Sequence, residues 1–303
     1  MDLTVVSGMD DNRAMPFQRP VTEIIPARSS RRTFLDRPLD PELSAALRAA
    51  FADPPATPFR NRVRLMLLES FDEKKRGGEK LGTYGFIKGA QNFLVGLVHE
   101  GQHCMEDFGY VFEWAVLVAT DLGLATCWVG GTLKRGAFAS AVDAGPDEIV
   151  PAVSPVGESP GKRRVFDSTI RLLAGATKRK PWKELFYTGD FGDCLAGNDA
   201  GRFATALEMT RLAPSASNRQ PWRVVKQRDT ERYHFYLKRT PGYRNMTSVD
   251  LQHIDMGIAM CHFALCADEL GLPGRWDFEQ PDIGKLPKGT EYISSWSTSR
   301  VGS

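Results

Sequence analysis

Unbroken or alternating apolar runs over residues 62–68, 92–98, 222–226 and 233–237 predict β-strands. The last two are joined by a turn around Asp229-Thr230. Helical spacing predicts helices over 41–51, with Asp40 as N-cap and Pro41 in the first turn, and over 200–211. Two longer stretches, 107–128 and 255–276, are apolar almost all round for about four turns. Each reads as a buried helix closed by a Leu-Gly C-cap. Pro and Gly punctuate 151–161, a basic patch follows at 178–180, and a Gly/Asp-rich stretch at 188–197 reads as a boundary.

The two long helices match one another without a gap at an offset of 148 residues. Eight of 22 aligned positions are identical: Asp107/Asp255, Gly109/Gly257, Leu117/Leu265, Ala119/Ala267, Leu122/Leu270, Gly123/Gly271, Leu124/Leu272 and Trp128/Trp276. Average composition would give roughly one or two. Two unrelated core helices could converge in composition, but duplication accounts better for the match, and so long an offset means two domains rather than a solenoid. The expected organisation is a loose lead-in at 1–18, a first half at 19–188, a second half at 189–296 and a frayed tail at 297–303.

Composition narrows the partners. The 303 residues carry 39 Lys+Arg against 37 Asp+Glu, too even a balance for nucleic acid or an anionic membrane to be the main partner. Five cysteines without C-x-x-C spacing argue against a zinc ribbon, a thioredoxin-type pair or a disulfide framework, and for a reducing, cytoplasmic setting. The longest apolar runs, 93–98 and 115–119, fall far short of the roughly 20 residues a membrane span needs. Asp10-Asp11 is the wrong charge for a secretory signal.

Three stretches carry candidate chemistry. In Arg28-Ser29-Ser30-Arg31-Arg32-Thr33-Phe34, an extended backbone puts Arg28, Ser30 and Arg32 on one face, a cradle for a phosphate dianion or simply a solvated basic turn. In 212–222, Pro214, Ser215, Asn218 and Gln220 lie between a helix and a strand. There an Asn amide offers a donor beside an acceptor, or merely ends a helix in the left-handed conformation. Gly130-Gly131 lets backbone approach a flat ligand, or is a plain C-cap.

Together these stretches resemble the nitroreductase-type FMN-dependent oxidoreductases, an α+β fold. The resemblance rests on Arg28-x-Ser30-x-Arg32-x-Phe34 and Ala213-Pro214-Ser215-x-x-Asn218-x-Gln220-Pro221-Trp222. It is extended by the helix ending in Trp128-x-Gly130-Gly131 and by Arg179-Lys180-Pro181-Trp182. It implies FMN as cofactor. Arg28, Ser30, Arg32, Lys178, Arg179 and Lys180 would meet the phosphate, Ser215 and Asn218 the ring, and Gln220 and Trp222 would fix the turn. Gly130 and Gly131 would present backbone N–H groups to N5 and O4. Lys88 and Gln91 could reach the pyrimidine edge, although a solvated helix end is the plainer role. NAD(P)H would donate hydride, and a nitro compound or quinone-like aromatic would accept it in ping-pong turnover, with no side chain acting as a catalytic acid or nucleophile.

Ordinary members build each site from two subunits; here the parts are divided between halves of one chain. The first half has only Asp53-Pro54-Pro55-Ala56-Thr57-Pro58-Phe59 where the Pro-Ser-x-x-Asn turn belongs, and in the second Trp276 is followed by Asp277-Phe278 instead of Gly-Gly. The expectation is two tandem copies forming a monomeric intramolecular pseudo-dimer with one FMN and a decayed second pocket. A redox sensor without turnover, a pseudo-enzyme, or dehydrogenation or dehalogenation on the same fold are the alternatives. His99 and His103 lack a third metal ligand, His253 and His262 read as packing or capping residues, and Cys261 and Cys266 as small core hydrophobes. Tyr243, Tyr292 and Trp296 could line the acceptor pocket, with packing the plainer role.

Overall fold

The computed structural model describes residues 17–70, 87–131, 133–160, 178–243 and 248–298. The first half contains helix α1 (Val21–Ala27), α2 (Pro41–Ala52), strand β1 (Val63–Leu68), β2 (Asn92–His99), α3 (Cys104–Asp121), β3 (Ala125–Thr126), α4 (Arg135–Ala141), β4 (Glu148–Ile149) and β5 (Val153–Gly157). Then come β6 (Phe186–Thr188), α5 (Ala204–Arg211), β7 (Trp222–Lys226), β8 (Arg232–Lys238), α6 (Leu251–Glu269), β9 (Gly274–Asp277) and β10 (Thr290–Thr298).

Local chemistry explains several element ends. Asp40 caps α2 by accepting from the Glu42 N–H, and Pro41 in the first turn leaves no donor unpaired. The long helices end alike: the Leu124 N–H reaches the Ala119 carbonyl at 2.9 Å, and the Leu272 N–H reaches Ala267 at 2.9 Å. Gly123 and Gly271 take φ of 75° and 68° to make those turns.

Each half has one sheet. The first runs β1-β2-β5-β3, with β4 beside β2; the second runs β6-β7-β8-β10-β9. Apart from β6, the orders correspond: β1 with β7, β2 with β8, β5 with β10 and β3 with β9. All these neighbours are antiparallel. Between the sheets, α3 and α6 cross at the centre of a hydrophobic core shared by both halves. A Cβ on Gly109 would collide with the Ile254 carbonyl, and one on Gly257 with that of Glu106. Glu106 and Ile254 are themselves 148 residues apart. The crossing is therefore a pseudo-twofold contact, and only glycine permits backbones this close.

The structure corrects four boundaries. β6, counted from sequence in the first half, pairs parallel with β7 in the second sheet, so the chain crosses between halves before residue 186. The helix expected over 200–211 is a 3₁₀ turn at Gly197–Phe203 followed by α5, because Gly201 adopts φ 57°. The tail is ordered through Ser297 and Thr298, which pair with Arg275 and Gly274. At the other end, Gln18 N–H donates to Asp121 at 2.6 Å, so the lead-in is anchored there. Residues 1–16, Thr132, Gly161 and residues 299–303 lie outside the described residues.

Candidate functional site

The segment after α1 is extended and held on both sides. The Arg31 N–H donates to the Thr126 carbonyl, while Lys88 donates to Arg32 and receives from Phe34 (each 2.8 Å). Lys88 thus pairs as a strand rather than ending a solvated helix, and Gln91 donates to Asp36 at 2.7 Å. Arg28 is not part of a solvated turn: its side chain is 7% exposed, with Nε 3.7 Å from Glu113 Oε1. Its Nε and Nη1, and Nη1 of Arg32, are buried without a hydrogen-bond partner among the described residues.

The turn at 214–221 is strained, with Ser217, Asn218 and Gln220 at φ of 49°, 53° and 49°. Asp255 on α6 pins it, accepting from the Ala216 N–H at 2.8 Å. Burial pushes the Asp255 carboxyl well above the usual carboxylate range. The Asn218 amide is engaged by the basic patch: Oδ1 accepts from Arg179 Nη1 at 3.0 Å, and Nδ2 donates to the Lys178 carbonyl at 2.8 Å. Gln220 receives the Lys180 N–H at 2.8 Å, and its own N–H donates to Ser215 Oγ at 2.9 Å. The structure thus brings Lys178, Arg179 and Lys180 onto Ser215, Asn218 and Gln220. All of these but Ser215 border a cleft of about 650 Å³ whose wall also carries Arg219, Arg223, Lys238 and Arg239 against a single acid, Glu184. Burial and the neighbouring Arg223 lower the Lys180 pKa. Tyr243 stands beside this turn, its hydroxyl 3.2 Å from Ser217 Oγ.

Gly130 faces the other half: a Cβ on it would lie 3.1 Å from Leu251 Cδ2 at the start of α6. Its carbonyl accepts from Arg135 Nη2 at 2.6 Å, and the same atom reaches the Pro151 carbonyl at 3.2 Å. Arg135 was not anticipated; an Arg just after a glycine loop, at the start of a helix, was the available signal.

Nor was Glu113, the lone acid between Asp107 and Asp121 on an otherwise apolar helix. Fully buried, it accepts from Trp128 Nε1 at 2.7 Å, faces His262 Nε2 at 3.0 Å and holds Arg28 at 3.7 Å. His262 Nδ1 meets the Met209 carbonyl at 2.9 Å, near the end of α5. Three residues on, the Leu212 carbonyl receives Arg179 Nη2 at 3.0 Å. His262, the partner of Glu113, and Arg179 of the basic patch thus meet the end of the same helix. The remaining residues pack: Cys261 and Cys266 are buried, as is Trp296, and the Tyr292 hydroxyl meets Ser295 Oγ at 2.7 Å.

The mirror position is built differently. Asp107 plays the part of Asp255, accepting from the Phe59 and Asn61 N–H groups at 2.9 and 2.8 Å, so Phe59 stands where Ala216 does. At the 148-residue offset Phe278 replaces Gly130 and His103 replaces Leu251. These three rings stack: Phe59 lies 4.2 Å from His103 and 4.5 Å from Phe278 between centroids. His103 also meets Glu106 at 3.0 Å.

A family model described as "Putative TM nitroreductase" matches residues 20–267. The chain belongs to this nitroreductase family. The crystal structure of a "putative nitroreductase" from Thermotoga maritima superposes over 95% of this chain and 98% of its own, at 18% identity and a TM-score of 0.56. The two share a fold along nearly their whole length. An FMN-dependent nitroreductase from Clostridium difficile covers 48% of this chain and 92% of its own, at 18% identity and a TM-score of 0.37. Nitroreductase A from Vibrio parahaemolyticus covers 48% and 70%, at 16% and 0.39. No curated protein matches the chain. As a nitroreductase-family member the chain is an oxidoreductase. Among the described residues, no helix is long and apolar enough to cross a membrane.

Proposed function

We propose that this nitroreductase-family chain binds one FMN between its halves and passes hydride from NAD(P)H to a small aromatic acceptor, a nitro compound or a quinone, in ping-pong turnover. The supporting observation is the buried Arg28 guanidinium beside the half-buried Arg32, with buried donor atoms on both that no group among the described residues satisfies. Such atoms are costly to bury, and a phosphate would supply the missing acceptors. The residues therefore fit the group. Arg28, Ser30 and Arg32 would hold the phosphate, with Lys178, Arg179 and Lys180 adding positive charge. Ser215, Asn218 and the Gly130-Gly131 backbone would face the ring, while Pro214 and Gln220 shape the turn. When bound, FMN supplies the hydride-accepting and hydride-donating chemistry, and the protein's work is binding, orientation and electrostatics.

Two halves in one chain, with the crossover before residue 186, supply both contributors, so a monomer can complete the site. A reducing, cytoplasmic location suits the free cysteines, four of them buried.

The test is the absorption spectrum of purified protein before and after anaerobic NADH or NADPH. A flavin band near one equivalent per chain that bleaches supports the reading. Protein that stays colourless after incubation with FMN overturns it. Bound FMN that neither nucleotide reduces would make the chain a flavin-binding module without this turnover.

A further inference from the structure

We propose that Glu113 and His262 are positioning residues that hold the Arg28 guanidinium ready for the phosphate; this rests on the FMN reading. A carboxylate at the centre of a helix crossing is costly unless charge and hydrogen bonds compensate it. Glu113 is fully buried there. Its compensation comes from three segments: Trp128 in the loop that leads to Gly130, His262 on α6, and Arg28.

The imidazole geometry is informative. The Met209 carbonyl, 2.9 Å from His262 Nδ1, can only accept, so Nδ1 carries a proton. The contact of 3.0 Å between Nε2 and Glu113 Oε1 then needs a further proton between them. Glu113 is thereby tied to the second half at the end of α5, six residues before Ser215. Arg28 Nε stands 3.7 Å from the same Oε1, inside ion-pair range but outside hydrogen-bond range. Attraction orients the guanidinium while its Nε and Nη1 stay open for another acceptor.

The pseudo-twofold axis supplies an internal control. At the 148-residue offset, Glu113 corresponds to Cys261 and His262 to Trp114. The Cys261 thiol meets the Trp114 backbone and burial keeps it neutral, so the mirror position holds no charged side chain. The place Glu113 takes in the crossing therefore does not demand a charged side chain. The Glu113–His262 pair stands only on the side where Arg28 approaches.

The experiment compares FMN with riboflavin, which lacks the phosphate, by quenching of flavin fluorescence in wild type, Glu113→Gln, Arg28→Ala and the double variant. The wild type is expected to prefer FMN. Glu113→Gln should cut that preference about tenfold or more while riboflavin affinity stays put, and adding it to Arg28→Ala should cost nothing further. An unchanged preference in Glu113→Gln overturns the proposal, as does equal weakening of both flavins, the mark of a merely structural role. Should Glu113→Gln fail to fold, His262→Asn keeps an amide donor at the crossing and is judged by the same ratio. A wild type that binds neither flavin brings down the FMN reading itself, whereas an intact preference in the variants brings down this inference alone.

Discussion

Gly257 on α6 lies directly against the carbonyl of Glu106 on α3, in the space a Cβ would need. Gly109 stands in the same relation to Ile254. Backbone, unlike a flexible side chain, cannot step aside cheaply. Gly257→Ala and Gly109→Ala should each destabilise the fold by about 3 kcal/mol, the upper end of ordinary overpacking. Gly136 on α4 has nothing within 4 Å of its absent Cβ, so Gly136→Ala should be neutral or stabilising by up to about 1 kcal/mol. Denaturant unfolding of the three variants checks both statements.

The crossing also predicts a pH dependence. Burial alone would raise the Glu106 carboxyl, but hydrogen bonds from His103 and His253 outweigh it and bring its pKa to about 2. A carboxylate held below its unfolded value contributes stability above about pH 4.5, lost as pH falls towards 2. For His253 burial pulls the pKa down, yet the bond to Glu106 raises it above 6.5; its contribution is full below 6.5 and is lost as pH rises through the raised value. Burial lifts Asp107 from 3.8 to about 6, so the folded state loses stability as pH rises between those two values and no further above the second. The melting temperature should therefore fall from about pH 4.5 to 6 with Asp107, and again above pH 6.5 as His253 loses its proton. His253→Gln should flatten that limb and Glu106→Gln the acidic one. A wild-type profile level across the range would refute the assignment.

The stacked rings of Phe59, His103 and Phe278 occupy the mirror of the Ala216, Leu251 and Gly130 positions. Purified protein should accordingly hold close to one FMN per chain, read from flavin absorbance against amino-acid analysis. A ratio near two would show that the mirror pocket is open.

Arg28→Ala removes a buried guanidinium from the proposed phosphate site. FMN should bind about 10- to 100-fold more weakly, the scale of one charge-assisted hydrogen bond. Asn218→Ala should also weaken retention, because it frees the Lys178 carbonyl and Arg179 from the turn. Equilibrium dialysis with unchanged affinity in both variants would place the flavin elsewhere.

Much of this molecule was legible where the cause is local. The Asp40-Pro41 start of α2, the Leu-Gly ends of α3 and α6, and the apolar runs of β2, β7 and β8 lie within a few residues of what dictates them. The pseudo-twofold axis was visible as the repeat, because both copies bury the same helix face and need glycine at the same place. The tertiary structure decided what depends on distant partners. Spacing cannot say that β6 joins the second sheet, since parallel pairing is set by where the chain crosses and not by its own residues. The Asn218 amide reads alone as a free donor and acceptor, yet a segment some 40 residues earlier takes up both ends. Glu113 and His262 stand 149 residues apart, and nothing near either marks it as the other's partner. The sequence by itself determined two similar halves and one set of binding motifs. Only folding decided which charges are buried together, because that depends on which surfaces lose water against each other.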